Sequence, residues 1–150
     1  MNKDDIIKKG TKFECQGSGN CCVSRNSYGY VYLSKKDLKR LSKYMKLTTD
    51  KFIDSYCSYT KKDKFLHLKE MKNEKNCIFL NNKRCKVYNS RPEQCRTWPF
   101  WPENMNAKTW EKDIAIFCPG INKGRFYSSK NIEKILKKDI KNSKNIIENK

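Results

Sequence analysis

Histidine is nearly absent from this chain, and so are long apolar runs. One histidine, His67, leaves a Cys–His nucleophile pair resting on a single residue. A lone histidine is more often a structural residue than a ligand. There is no H-E-x-x-H and no glycine loop ending in Gly-Lys-Ser/Thr, which excludes the common metalloprotease and phosphate-loop signatures. No stretch approaches the roughly 20 apolar residues of a membrane span. The segment from Met1 to Gly10 lacks the apolar core of a secretory leader. A cytoplasmic protein with no membrane partner is therefore expected. Acid is scarce too: 16 Asp and Glu stand against 34 Lys and Arg, a net charge of +18. That balance allows nucleic acid, acidic protein or anionic lipid as partner, although the lysines are scattered and a solvated surface is the simplest reading.

What the chain has is cysteine, eight in 150 residues. In a reducing compartment such thiols argue for metal over disulfides. Thiolate is a soft ligand that suits zinc and iron–sulfur clusters, each of which usually takes four protein ligands. Eight thiols thus supply two four-ligand sites, or one site with thiols to spare. The spacing does not choose the metal. The C-x2-C knuckle of zinc ribbons, the ferredoxin run C-x2-C-x2-C and the haem sequence C-x-x-C-H are all missing.

The pattern of elements predicts an α+β fold. Cys77 to Tyr88 reads as a hairpin turning at Asn81-Asn82-Lys83-Arg84. Ser90 is expected to cap a short helix that aims Cys95 back at that hairpin. Tyr28 to Leu33 and Phe65 to Leu68 read as strands. Ser34-x-x-Asp37 opens a helix over 34–46, and Thr48 or Thr49 opens another ending near Cys57. A packed αα-hairpin fits these two better than a helix-turn-helix, since nothing marks a recognition helix. Trp98-Pro99-Phe100-Trp101-Pro102 is a stiff, bulky segment suited to shielding a thiolate centre. A helical piece is expected from Trp110, and a final helix from Ser128 or Ser129 with Ile132, Ile135, Leu136 and Ile140 as its apolar stripe. Residues 1–12 and the chain beyond 141 are expected to be loosely held. With no internal repeat, residues 1–150 read as one domain with its core at about 13–140. Arg91 and Arg96 flank Cys95, either to favour its thiolate or as structural forks onto carbonyls or Glu93.

Five pieces carry a family resemblance: Cys15-x5-Cys21-Cys22, Cys77-Ile-Phe-Leu, Cys85-x-Val-Tyr, Arg91-Pro-x-x-Cys95-Arg96 and Cys118-Pro-Gly. Together they resemble the YkgJ-type cysteine-cluster family, a zinc- or iron-chelating domain, from about Phe13 to Phe126. Some members are named iron–sulfur oxidoreductases, and the flagellin lysine N-methylase is similar through this cysteine domain. The resemblance implies metal binding by Cys15, Cys21, Cys22, Cys77, Cys85, Cys95 and Cys118. Cys57 lies outside the matching pieces. The family often carries C-x2-C before its cysteine pair, and here Ser18 stands at the second position.

The reading is an α+β domain around one or two cysteine-bound centres that hold an iron–sulfur cluster or zinc. The cluster is favoured, because the glycine loop and aromatic segment would shield an oxygen-sensitive centre. A protein partner or substrate is expected but not named by the sequence. Two alternatives stand beside this reading. The charge motivates a zinc-stabilised nucleic-acid-binding protein, and the resemblance motivates a lysine N-methylase-like or redox enzyme.

Overall fold

Ser34 begins the best-specified element. Its hydroxyl accepts the Asp37 N–H, and the Asp37 carboxylate accepts the Ser34 N–H, a complete capping box that opens helix α2, Lys35–Tyr44. Thr48 caps α3, Thr49–Tyr56, in the same way, accepting the Lys51 N–H. The two helices pack as an αα-hairpin. The computed structural model describes residues 3–16, 30–71, 76–82, 84–116 and 118–149.

The elements run α1 (Lys3–Lys9), β1 (Thr11–Phe13), α2, α3, β2 (Cys57–Tyr59), β3 (Leu66–Leu68), β4 (Leu80–Asn81), β5 (Arg84–Cys85), α4 (Glu93–Thr97), β6 (Ile121–Tyr127) and α5 (Ser129–Ser143). The strands form antiparallel pairs, β1 with β6, β2 with β3 and β4 with β5. The fold is α+β, as the element pattern predicts. Gly10 turns α1 into β1 with φ +74°, and a Cβ there would lie 2.5 Å from the Tyr127 carbonyl oxygen. Only glycine fits such a position without strain.

Two hydrophobic clusters organise these pieces. The first gathers Leu38 and Leu41 of α2, Phe52 of α3, Cys57, Leu66, Leu68, Phe79 and Val87. The second gathers Ile6 of α1, Phe13 of β1, Phe100, Met105, Trp110, Ile114, Ile121 and Ile132 of α5. Ser128 caps α5 with a capping box completed by Asn131, so the final helix starts where the sequence places it.

Several expectations are corrected. Both ends of the described chain are tied down: Ile6 is 2% exposed, and α1 packs on α5. At the other end α5 runs through Ser143, and Ile147 exchanges backbone hydrogen bonds with Leu33 and Leu66 at 2.9 and 2.8 Å. The isoleucine pairs Ile6-Ile7 and Ile146-Ile147 anchor segments whose average composition is polar. Cys57 ends α3 but also starts a strand, β2, whose register sets Cys57 opposite Leu68. The stretch after Trp110 belongs to a π-type turn, Thr109–Ile114. Of the strand expected over Tyr28–Leu33, the described part is extended chain with one bridge from Tyr32 to His67. Ser90 does not cap α4; it closes a 3-10 turn over Tyr88–Ser90.

The first cluster makes a direct prediction. Leu41 is fully buried, so Leu41→Ala should destabilise the protein by about 2–5 kcal/mol through lost contact and the cavity left behind. Ile116→Ala, at a site 77% exposed, should stay within about 0.5 kcal/mol. Urea unfolding of both variants tests the contrast.

Candidate metal centre

Cys95 sits in α4, a five-residue helix too short to hold its own position. Its placement comes from Asp37, Arg40, Trp101 and Asp139 outside it, together with its own Gln94 and Thr97. At its start, Pro92 offers no side-chain cap, and the Glu93 N–H instead donates to Oδ1 of Asp37 at 3.0 Å. The same carboxylate receives Nη2 of Arg40 at 2.9 Å and the Ser34 N–H at 3.1 Å. Arg40 in turn donates to the Arg91 carbonyl at 2.9 Å, gripping the turn before Cys95. Along its side, Gln94 accepts the Tyr32 N–H and donates to the Tyr30 carbonyl, both at 3.1 Å. At its end, the Thr97 hydroxyl donates to Oδ1 of Asp139 on α5 at 3.0 Å and accepts Nε1 of Trp101 at 2.9 Å.

Arg91 and Arg96 serve as structural forks. Arg96 donates to the carbonyls of Arg91 and Asn89 at 3.0 and 3.1 Å. Arg91 donates to the Tyr88 carbonyl at 2.9 Å and lies 4.2 Å from the centroid of the Tyr88 ring. Their target is the backbone of the turn that leads into Cys95.

A cavity of about 1260 Å³ opens between the two hydrophobic clusters. Four candidate ligands line it: Cys15 beyond β1, Cys77 before the β4–β5 hairpin, Cys85 in β5 and Cys95 in α4. Cys15 is exposed and the other three are half-buried. Trp98 and Trp101 form part of the wall, packed edge to face with ring centroids 4.8 Å apart. The aromatic segment therefore borders the thiol-lined cavity, while its Phe100 is buried in the second cluster. Donor chemistry fits the group: four candidate thiols line one space, and thiolate is the donor that soft zinc or iron prefers.

Not every candidate comes to that wall. Cys118 is half-buried against the second cluster and is not among the cavity-lining residues. Cys21 and Cys22 lie outside the described residues. Among the described residues, no three Cys, His, Asp or Glu side chains are close enough to hold a metal ion together. His67 is buried, stacked on Tyr30 at 3.8 Å between ring centroids, with Nδ1 2.8 Å from the Leu68 carbonyl oxygen. It sits outside the cavity wall, as a structural histidine would. Cys57 is 5% exposed in the first cluster, and burial pushes its thiol up to about 12, with Lys69 pulling the other way. That residue packs as a small hydrophobe.

A family model described as "Putative zinc- or iron-chelating domain", with the short name CxxCxxCC, matches residues 14–119. The chain belongs to this family. The zinc- or iron-chelating domain thus covers every candidate ligand from Cys15 to Cys118. Uncharacterized protein MJ0661 of Methanocaldococcus jannaschii is 29% identical over 127 residues, which cover 81% of this chain and 65% of that protein. The chain thus spans less than two thirds of the length of this curated relative. No solved structure matches the chain. Against the family's short name, the chain reads Cys15-x-x-Ser18-x-x-Cys21-Cys22, with serine at one cysteine position. No helix among the described residues is long and apolar enough to cross a membrane.

Sequence reasoning missed Asp37 and Asp139 as supports of the chelating domain's α4. Asp139 is 8% exposed and lines the cavity. Burial pushes its carboxyl up to about 6; the Thr97 hydroxyl holds it back, and Glu103 and Glu93 add to the rise. The only sequence signal was an aspartate on the apolar side of α5, between Leu136 and Ser143.

Two predictions follow from these supports. Asp37→Ala removes the acceptor for Ser34 N–H, Glu93 N–H and Arg40 at once, and should cost about 2–4 kcal/mol in urea unfolding. The folded pKa of Asp139 lies above the usual aspartate value, so its contribution to stability is complete at low pH and lost as pH rises through about 6. Asp139→Asn should therefore be more stable than the parent at pH 7.5, by on the order of 2 kcal/mol, and lose that advantage by about pH 4. Chemical denaturation of both proteins across that range measures the difference.

Proposed function

We propose that this chain holds an iron–sulfur cluster or zinc through Cys15, Cys21, Cys22, Cys77, Cys85, Cys95 and Cys118, with the cluster the favoured occupant. The observation that supports this reading is that Cys15, Cys77, Cys85 and Cys95 line one cavity, from segments up to 80 residues apart in a zinc- or iron-chelating domain. Several features support a cluster over structural zinc. The cavity is large, its wall includes Trp98 and Trp101, and three of its four thiols are half-buried, which limits access of water and oxygen to them. A bound cluster would supply one-electron chemistry or an open iron for a substrate. The chain's own part is to hold the thiols in register. Asp37 and Arg40 fix the turn before Cys95, and Asp139 fixes the turn after it. A protein substrate or partner at this centre, and a place in the cytoplasm, belong to the same proposal.

Anaerobic purification with metal analysis and a visible spectrum tests it. Iron, acid-labile sulfide and colour are expected. A colourless protein with stoichiometric zinc removes the cluster reading, and a folded protein without metal removes both. Cys95→Ser should lower metal retention at least tenfold under chelator challenge. Cys57→Ser should leave retention unchanged, although it destabilises the first cluster.

A further inference from the structure

One face of α5 is used by neither hydrophobic cluster. Ile132, Ile135 and Leu136 turn into the second cluster, with Asp139 buried on the same side. Opposite them stand Lys130, Lys134, Lys137, Lys141 and the C-cap residue Lys144, all exposed. These positions advance by four, three, four and three residues. At 3.6 residues per turn they stay within about 40° of one line and extend about 21 Å. Glu133 is the exposed acid of the helix and stands at the margin of this row. Among the described residues the ion pair present is Arg40 with Asp37, so no described carboxylate neutralises the lysines.

Folding does not ask for this arrangement. Like charges at i,i+3 and i,i+4 repel one another. Lys130 lies in the first turn, where the helix dipole disfavours a cation. Neutral polar residues would solvate the face equally well.

We propose that the α5 lysine row is a docking face for the phosphate backbone of duplex nucleic acid. The proposal does not depend on what the cysteines hold. Counting both strands, a duplex carries a phosphate about every 1.7 Å of axis, so a row about 21 Å long runs past roughly twelve, and about half of those lie on the facing side. A bilayer is the poorer complement, because the apolar side that would enter it is packed inside the protein. Single strands are poorer too, because they are held by aromatic stacking, and no aromatic residue lies on α5.

Binding of the metal-replete full chain to an arbitrary-sequence DNA duplex, followed by fluorescence anisotropy from about 50 to 200 mM salt, tests this. Contacts to five phosphates give a log–log salt slope of about −4.5. Replacing Lys130, Lys134, Lys137, Lys141 and Lys144 together by Gln should weaken binding at least 30-fold at about 50 mM salt and flatten the slope to about −1. The five-fold Lys→Arg variant should stay within about threefold of the parent. A control carries five exposed lysines changed to Gln on α2 and α3, namely Lys35, Lys36, Lys39, Lys43 and Lys51, and should lose less than fivefold. Circular dichroism checks that each variant folds. A parent slope shallower than about −2 overturns the proposal even if the Gln variant does not fold. Equal loss in the control also overturns it, as does row-dependent binding to phosphatidylserine vesicles with none to the duplex.

Discussion

The carboxylate of Asp37 is the constraint on which the rest of this structure turns. It is 1% exposed, so its charge has left water and must be met by donors. It finds three: the N–H that opens α2, the guanidinium of Arg40 one turn on, and the N–H that opens α4. Each alone is a modest interaction. Together they fix where a helix of five residues sits, and with it the sulfur of Cys95. Removing the carboxylate would strand all three donors at once, and the local consequences would reach both the first hydrophobic cluster and the cavity wall.

At the far end of α4 a second aspartate acts differently. Asp139 meets a single described donor, the Thr97 hydroxyl, and two acids raise its pKa further. Charge at this position is a cost at neutral pH, whereas for Asp37 it is the organising element. Both residues join α4 to a long-range partner: α2 lies in the first cluster, and α5 lies in the second. The thiol-lined cavity is the space that remains between these two anchored bodies.

How much of this was legible depended on range. The capping box at Ser34 could be read because its two partners lie three residues apart, whereas the start of α5 was left between Ser128 and Ser129 because its box is closed by Asn131 instead of an acid. The cap of α4 could not, because its acceptor is 56 residues away and Ser90 offered a plausible local substitute. The αα-hairpin and the β4–β5 hairpin follow from local periodicity and turn residues. The short β2 does not, since three residues give too little alternation to register. Chain ends were misjudged because Ile6-Ile7 and Ile146-Ile147 are short apolar pairs in polar surroundings, and composition averages over them. At the centre, the family resemblance implied Cys15, Cys21, Cys22, Cys77, Cys85, Cys95 and Cys118; of these, Cys15, Cys77, Cys85 and Cys95 line one cavity, and Cys21 and Cys22 lie outside the described residues. Nothing in the spacing set Cys118 apart from the four that line the cavity.

The fate of Cys57 constrains the stoichiometry of the proposed centre. Eight thiols would complete two sites of four. Cys57 is buried among Leu66, Leu68 and Phe79 in the first cluster, its thiol is pushed up to about 12, and it does not reach the cavity. Buried in this way it packs as a small hydrophobe, and it lies outside the pieces that carry the family resemblance. Seven candidates remain, and seven cannot fill two four-thiolate sites. Ser18, at the family's cysteine position, leaves the same arithmetic at the N-terminal end. Under the proposed function, the chain therefore has thiols for at most one fully thiolate-ligated centre. Any second centre has at least one position for an oxygen or nitrogen ligand or an exchangeable molecule. An incompletely ligated iron or zinc is where substrate chemistry takes place, whereas a closed four-thiolate site serves structure or electron transfer.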